Sequence, residues 1–174
     1  MNSSKAVAFS GMFAALQLVL LFLGSTMWVL CYSAPLFCGL VMIILKESAG
    51  VKYCVLSYIA SSIIGILFLP DKECVLTYVF FFGYYTIIRD YLNKPAKWLS
   101  YVLKFLLYNA SIGLSQLMLI YVFHIPFDNE LGKLGIPLLI FGFNFVFVFY
   151  ELLFPRLTKL YYVKYKSRVD KMLK

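Results

Sequence analysis

Between Ala6 and Leu45 the chain carries no charged residue, and that absence alone excludes a water-exposed surface over the first quarter of the sequence. Charge is scarce throughout. Only 14% of the 174 residues are charged, against 63% hydrophobic and 19% aromatic, with a mean hydropathy of +0.86, a balance too apolar for a soluble globular domain. Histidine occurs once, as His124, and the four cysteines (Cys31, Cys38, Cys54, Cys74) form no CxxC pair, so no metal site is expected. The cysteines read as small apolar packing residues, with a Cys31–Cys74 disulfide left open. No GxxxxGK[ST] phosphate loop, HExxH or GxSxG is present, which argues against ATP hydrolysis by that loop and against these routes of intramembrane hydrolysis. Glu151 is the one carboxylate well inside an apolar run, too few for a proton relay, and no inverted repeat marks a secondary transporter. The expectation is a protein that is not an enzyme and uses no cofactor. A cleavable signal peptide is not expected either, because the first apolar segment has a single lysine and leads straight into a second.

What is present is a series of apolar runs at about 6–26, 34–45, 53–69, 74–92, 98–123 and 134–154, the first two lying in the uncharged stretch from Ala6 to Leu45, which is long enough for two crossings of a bilayer at ~20 residues each. They predict an all-α membrane protein, a single domain of six transmembrane helices, with a basic tail at 155–174. Proline is least costly at a helix start or beyond its end. Pro35 and Pro137 fit starts, Pro70, Pro126 and Pro155 fit ends, and Pro95 falls in a connection. Of the 16 lysines and arginines, all but Lys72 and Lys133 fall in the termini and the even-numbered connections, which places both termini in the cytoplasm by the positive-inside rule. The outward loops then hold Trp28 and Tyr32, then Asp71, Lys72 and Glu73, then Asp128, Glu130 and Lys133. Trp28 and Tyr32 fit either interfacial anchors or solute contacts.

The first run, Lys5 to Thr26, has two unlike faces. At ~100° per residue Ser4, Ala8, Gly11 and Ala15 share one side, a stripe with almost no side-chain volume. Such a stripe lets another helix approach closely in lipid, either one of the same chain or one of another protein. Gln17 lies far round from it, and its amide needs a polar partner inside the protein. The third run repeats the pattern with Cys54, Ser57, Ser61 and Gly65, where packing within the chain is the expectation. In the fourth, Gly83 permits a close neighbour, and Tyr84 and Tyr85 bring hydroxyls that need partners. The fifth places Asn109, Gly113 and Gln116 on one face and Lys104, Tyr108, Ser111 and Ser115 on another. Its amides either touch a solute or bond between helices. The sixth adds Asn144, with Glu151 seven residues on. His124 reads as an interfacial side chain, and the basic, aromatic tail suits an anionic headgroup layer.

Taken together, these features resemble the substrate-binding S components of energy-coupling factor (ECF) transporters, which have six helices, both ends inside and a small-xxx-small motif on the first helix. Gly11-Met12-Phe13-Ala14-Ala15-Leu16 is similar to that motif, with glycine in place of the usual first alanine. The resemblance implies capture of a vitamin-like solute from outside, with a transmembrane coupling subunit and two ATPases as partners. It also implies that Ala8, Gly11 and Ala15 form the partner interface, and that Trp28, Tyr78, Asn109, Gln116 and Asn144 are the solute-binding candidates. The N-terminal Met-xx-His arrangement resembling nickel or cobalt S components is missing, so a metal solute is not implied. A weaker resemblance is to the MreD cell-shape family, which implies a scaffold of cell-wall elongation whose interior amides only pin helices. A small autonomous transporter is the third reading, disfavoured by the sparse intramembrane charge. Nucleic acid is not an expected partner, since the positive-inside pattern already accounts for the +8 formal charge.

Overall fold

The computed structural model describes residues 3–27, 30–124 and 135–166, with side chains omitted at 135–140 and 165. Among these residues there is no strand. The helices are α1 (Ser3–Thr26), α2 (Ser33–Ala49), α3 (Val51–Phe68), α4 (Lys72–Thr77), α5 (Gly83–Leu92), α6 (Lys97–Tyr121) and α7 (Gly135–Leu160). A π-helical turn at Tyr78–Phe82 joins α4 to α5 without a break, so the described residues form six rods that alternate in direction. Two of the breaks have a local cause. Gly50, at φ +97°, takes the left-handed conformation that separates α2 from α3. At the next reversal Lys72 Nζ donates to the carbonyls of Ile66 (2.8 Å) and Leu69 (2.7 Å), a cation covering the open carbonyls at the end of α3. Asp71 caps α4 by accepting from Glu73 N at 2.9 Å.

Helix α2 is central, packing on α1, α3, α4, α5 and α7. The core beside it is aromatic. Phe81 stacks on Tyr85 and Tyr108 on Phe147, each pair with centroids 4.7 Å apart, while Phe82 meets Tyr150 edge-on. Gly83 is what lets α3 close on this rod, since a Cβ there would lie 2.6 Å from the Tyr58 ring. The hydroxyl of the same tyrosine donates to Val79 O at 2.8 Å, within the π turn. The outer surface is the inverse of the core, covered by large apolar side chains such as Val19, Phe22, Leu67, Phe68, Leu106 and Phe145. Among the described residues three helices, α1, α3 and α6, are long and apolar enough to cross a membrane.

One boundary departs from the sequence expectation. Pro155 does not end the last helix but sits inside α7, which runs on to Leu160 and then into a π-helical segment at Tyr161–Tyr165. Proline forfeits its bond to the carbonyl four residues back. Contacts beyond it hold the continuation in place: the Tyr161 hydroxyl lies 2.6 Å from Ser48 Oγ, and the Tyr162 hydroxyl donates to Glu47. That carboxylate raises the Tyr162 pKa above its ordinary value, keeping the phenol protonated and donating. The extension is therefore tied to the end of α2.

Candidate functional site

The two faces of α1 are as unlike in the fold as in the sequence. Ser4, Ala8, Gly11 and Ala15 are all exposed, and a Cβ added at Gly11 would meet nothing within 4 Å. No helix among the described residues covers this stripe. The opposite face is buried: Ala6, Ser10, Phe13, Ala14, Gln17, Leu21 and Gly24 pack against α2, α3 and α4.

Gln17 is at the centre of that buried face. Its Oε1 accepts from Tyr78 OH at 3.0 Å and from Ser57 Oγ at 3.4 Å, and the Tyr78 hydroxyl also lies 2.8 Å from Ser61 Oγ. Tyr78 is thus where α1, α3 and the π turn meet, fully buried, with its hydroxyl engaged by two side chains of the protein itself.

The α6 candidates divide. Lys104, Tyr108, Ser111 and Ser115 are the buried band, while Asn109 and Gln116 are half-buried and Gly113 is exposed, so the amide-bearing face is at the rim of the bundle. There Asn109 and Asn144 exchange two hydrogen bonds, Nδ2 to Oδ1 at 2.9 Å and the reverse at 3.2 Å, joining α6 to α7. Gln116, about two turns further along, donates to Glu73 Oε1 at 3.1 Å, the same oxygen that takes the Tyr32 hydroxyl at 2.8 Å. Burial and the Glu73 charge raise the Tyr32 pKa above its ordinary value, so this phenol is a fixed donor. The Tyr32 ring meets Phe143 edge-on at 5.0 Å. Cys31 donates to Asp71 Oδ2 at 3.1 Å and, like Cys74, is a free thiol. Gln116, Asn109 and Asn144 therefore line one seam, with Tyr32 and Glu73 at its far end. Tyr78 belongs to the separate Gln17 network, and Trp28 lies outside the described residues.

The opposite, basic end holds a cluster that the sequence offered only as scattered charges. Glu151 Oε1 accepts from Arg89 Nη2 (2.8 Å) and Lys104 Nζ (2.7 Å), and Oε2 from Tyr85 OH (2.6 Å) and Arg89 Nε (3.2 Å). Lys104 also donates to Asn93 Oδ1 at 2.5 Å, and the guanidinium carbon of Arg89 lies 4.1 Å from the centre of the Phe154 ring. One carboxylate with four donors ties α5, α6 and α7 together. A bidentate arginine is the geometry that best offsets the cost of burying such charges. The signal for it was the solitary Glu151, since a lone acid in an apolar run needs cations on its neighbours.

Set against known proteins, the chain matches no family model, no curated protein and no solved structure.

Proposed function

We propose that the chain is the membrane-embedded, solute-binding subunit of a multi-protein importer, an S component of the ECF type, with six spans and both termini in the cytoplasm. The observation that supports this reading is the exposure of Ala8, Gly11 and Ala15 on α1, a strip of minimal volume with no helix among the described residues upon it. Helices associate in lipid through close backbone approach across such strips, so the surface suits a transmembrane coupling subunit. Charge placement supports the orientation. Lys5, Lys46, Lys52, Arg89, Lys94, Lys97, Arg156, Lys159 and Lys164 gather at one end, and Lys72 is the cation described at the other. The Tyr32–Glu73–Gln116 group at that far end, continuing to Asn109 and Asn144, offers a solute hydrogen-bonding groups between aromatic rings. Energy for uptake comes, on this reading, from two partner ATPases.

A second reading, an MreD-like scaffold of cell-wall elongation, is favoured by one specific observation: Asn109 and Asn144 bond to each other, as amides that only pin helices would. Affinity tagging in native membranes, gentle solubilisation and mass spectrometry separate the two. Co-recovery of two ABC-type ATPases with a membrane coupling subunit is expected. Cell-wall elongation proteins without ATPases would overturn the importer and support the scaffold.

A further inference from the structure

We propose that the corner between α5 and α6 binds the headgroup of an anionic phospholipid, which supplies the counter-charge that the cluster behind it lacks. That cluster sets two cations, Arg89 and Lys104, against the single carboxylate of Glu151, at 2.8 and 2.7 Å. Its other members, Tyr85 and Asn93, bring hydrogen bonds and no charge. Asp90, next to Arg89, does not make up the deficit, because its carboxylate faces Lys46 at 2.7 Å. Lys104 is the one buried charged residue among the described residues. A positive charge left over in a medium of low dielectric is costly, and its field reaches the adjoining surface with little screening by water.

The surface in front of the cluster suits an anion. Asn93, which accepts from Lys104 at 2.5 Å, is followed by Lys94, and Lys97 opens α6. Both lysines are exposed, and neither forms an ion pair among the described residues. No acid occurs in the sequence from Tyr91 to Phe127. Three large rings stand beside the lysines: Tyr91, Trp98 and Tyr101 are 63%, 82% and 64% exposed. Lys94 Nζ lies 4.7 Å from the centre of the Tyr91 ring, and the Tyr101 ring, 5.5 Å from Lys104 Nζ, connects the corner to the cluster. Exposed tryptophan and tyrosine are the rings that settle at headgroup level in a bilayer. Further along α6, Val102, Phe105 and Leu106 are exposed, an apolar strip against which acyl chains can lie.

The ligand therefore carries a negative charge at headgroup depth and an apolar body that continues along α6. A phospholipid with a net negative headgroup has both, whereas a zwitterionic lipid has no net charge to offset and a soluble anion has nothing for the strip. Basic charge alone does not select the corner. Lys5 on α1 and Lys52 on α3 are exposed at the same end, yet no exposed aromatic residue lies within one turn of either. The inference rests on the chain lying in a bilayer, and not on solute uptake or on the partner of α1.

Thermal unfolding of the full-length protein in a neutral detergent, with phosphatidylglycerol, phosphatidylcholine or inorganic phosphate added, tests the site. Phosphatidylglycerol is expected to raise the unfolding temperature by a few degrees, as a ligand of the folded state does, and the other two to leave it unchanged. The rise is expected to vanish in Lys94→Gln with Lys97→Gln and to persist in Lys5→Gln with Lys52→Gln, which removes as much charge. No rise with phosphatidylglycerol, or an equal rise with phosphatidylcholine, would overturn the proposal. An equal rise with inorganic phosphate would replace the lipid by a soluble anion and overturn it as well. So would a rise that survives in the Lys94 and Lys97 pair, or one lost equally in the Lys5 and Lys52 pair, which would spread the effect over the whole basic end. The side chains of Lys94 and Lys97 make no hydrogen bond or ion pair among the described residues, so their variant is expected to melt with the parent when no lipid is added.

Discussion

Helices α1 and α3 carry the same device in opposite surroundings. On α3 the small residues Cys54, Ser57, Ser61 and Gly65 are all buried, facing Met42, Gln17, Tyr78 and Val75. On α1 the stripe of Ser4, Ala8, Gly11 and Ala15 lies open along its length. Spacing is nearly identical, so periodicity does not say which stripe is covered. What differs is the far side of each helix. The face of α1 opposite its stripe supplies Phe13, Gln17 and Leu21 to the interior, whereas the face of α3 opposite its stripe presents Leu56, Ile59, Ile63 and Leu67 outward. On α1 the interior is met by Phe13, Gln17 and Leu21, which leaves the small stripe outside, whereas on α3 the small stripe itself meets the interior. The α3 stripe builds the fold, and the α1 stripe is left over for something else.

Substitutions sharpen this contrast when ranked by their effect on stability. The largest loss is expected from Glu151→Leu, which leaves Arg89 and Lys104 buried without a counter-charge, about 3–5 kcal/mol by analogy with other broken buried pairs. It sets the scale of a failing bundle remote from both stripes, read as a fall in unfolding temperature in detergent. Gly65→Leu comes next. A Cβ there already sits 3.2 Å from Val75 Cγ1, and the remaining carbons have no room, so overpacking costs about 1–3 kcal/mol. Asn109→Leu removes an inter-helix amide pair at the rim and should cost about 0.6 kcal/mol in a double-mutant cycle with Asn144. On the importer reading it also weakens solute binding, and unchanged affinity in both Asn109→Leu and Gln116→Leu would remove these residues from the solute site. Smallest of all is the paired change Gly11→Leu with Ala15→Leu. No described residue lies over Gly11, so the unfolding temperature should stay within error of the parent; on the importer reading the purified chain should still bind solute, while uptake in cells is lost. Destabilisation matching that of Gly65→Leu would erase the difference between the two stripes.

Much of the fold was legible because bilayer length and the placement of glycine and proline act locally. The first five apolar runs fall within a few residues of the observed rods, and the α3 stripe packs inside as expected. Pro155 misled because the contacts that carry α7 past it, Ser48 with Tyr161 and Glu47 with Tyr162, join positions more than a hundred residues apart. The π turn was invisible for a similar reason: its stabilising partner, Tyr58, is on another helix. For the candidate site, composition identified which α6 residues were polar, but not that the amide face would lie at the rim while Lys104, Tyr108, Ser111 and Ser115 took the interior. That choice is made by Glu151, which draws Lys104 inward and fixes the rotation of α6. Tyr78, one of the solute candidates, bonds Gln17 and Ser61 in the fold, partners on other helices that spacing along its own helix does not reveal.

The central claim, that the open stripe of α1 docks another membrane protein, is tested most directly by photo-crosslinking in native membranes. A photoreactive residue at Met12, exposed beside the stripe, is compared with one at Ile63, exposed to the same extent on α3 (57% and 55%). The account predicts a discrete adduct with a second membrane protein from position 12, absent from position 63 and lost when Gly11→Leu is added. Equal labelling from both positions, or lipid adducts alone from position 12, would contradict it.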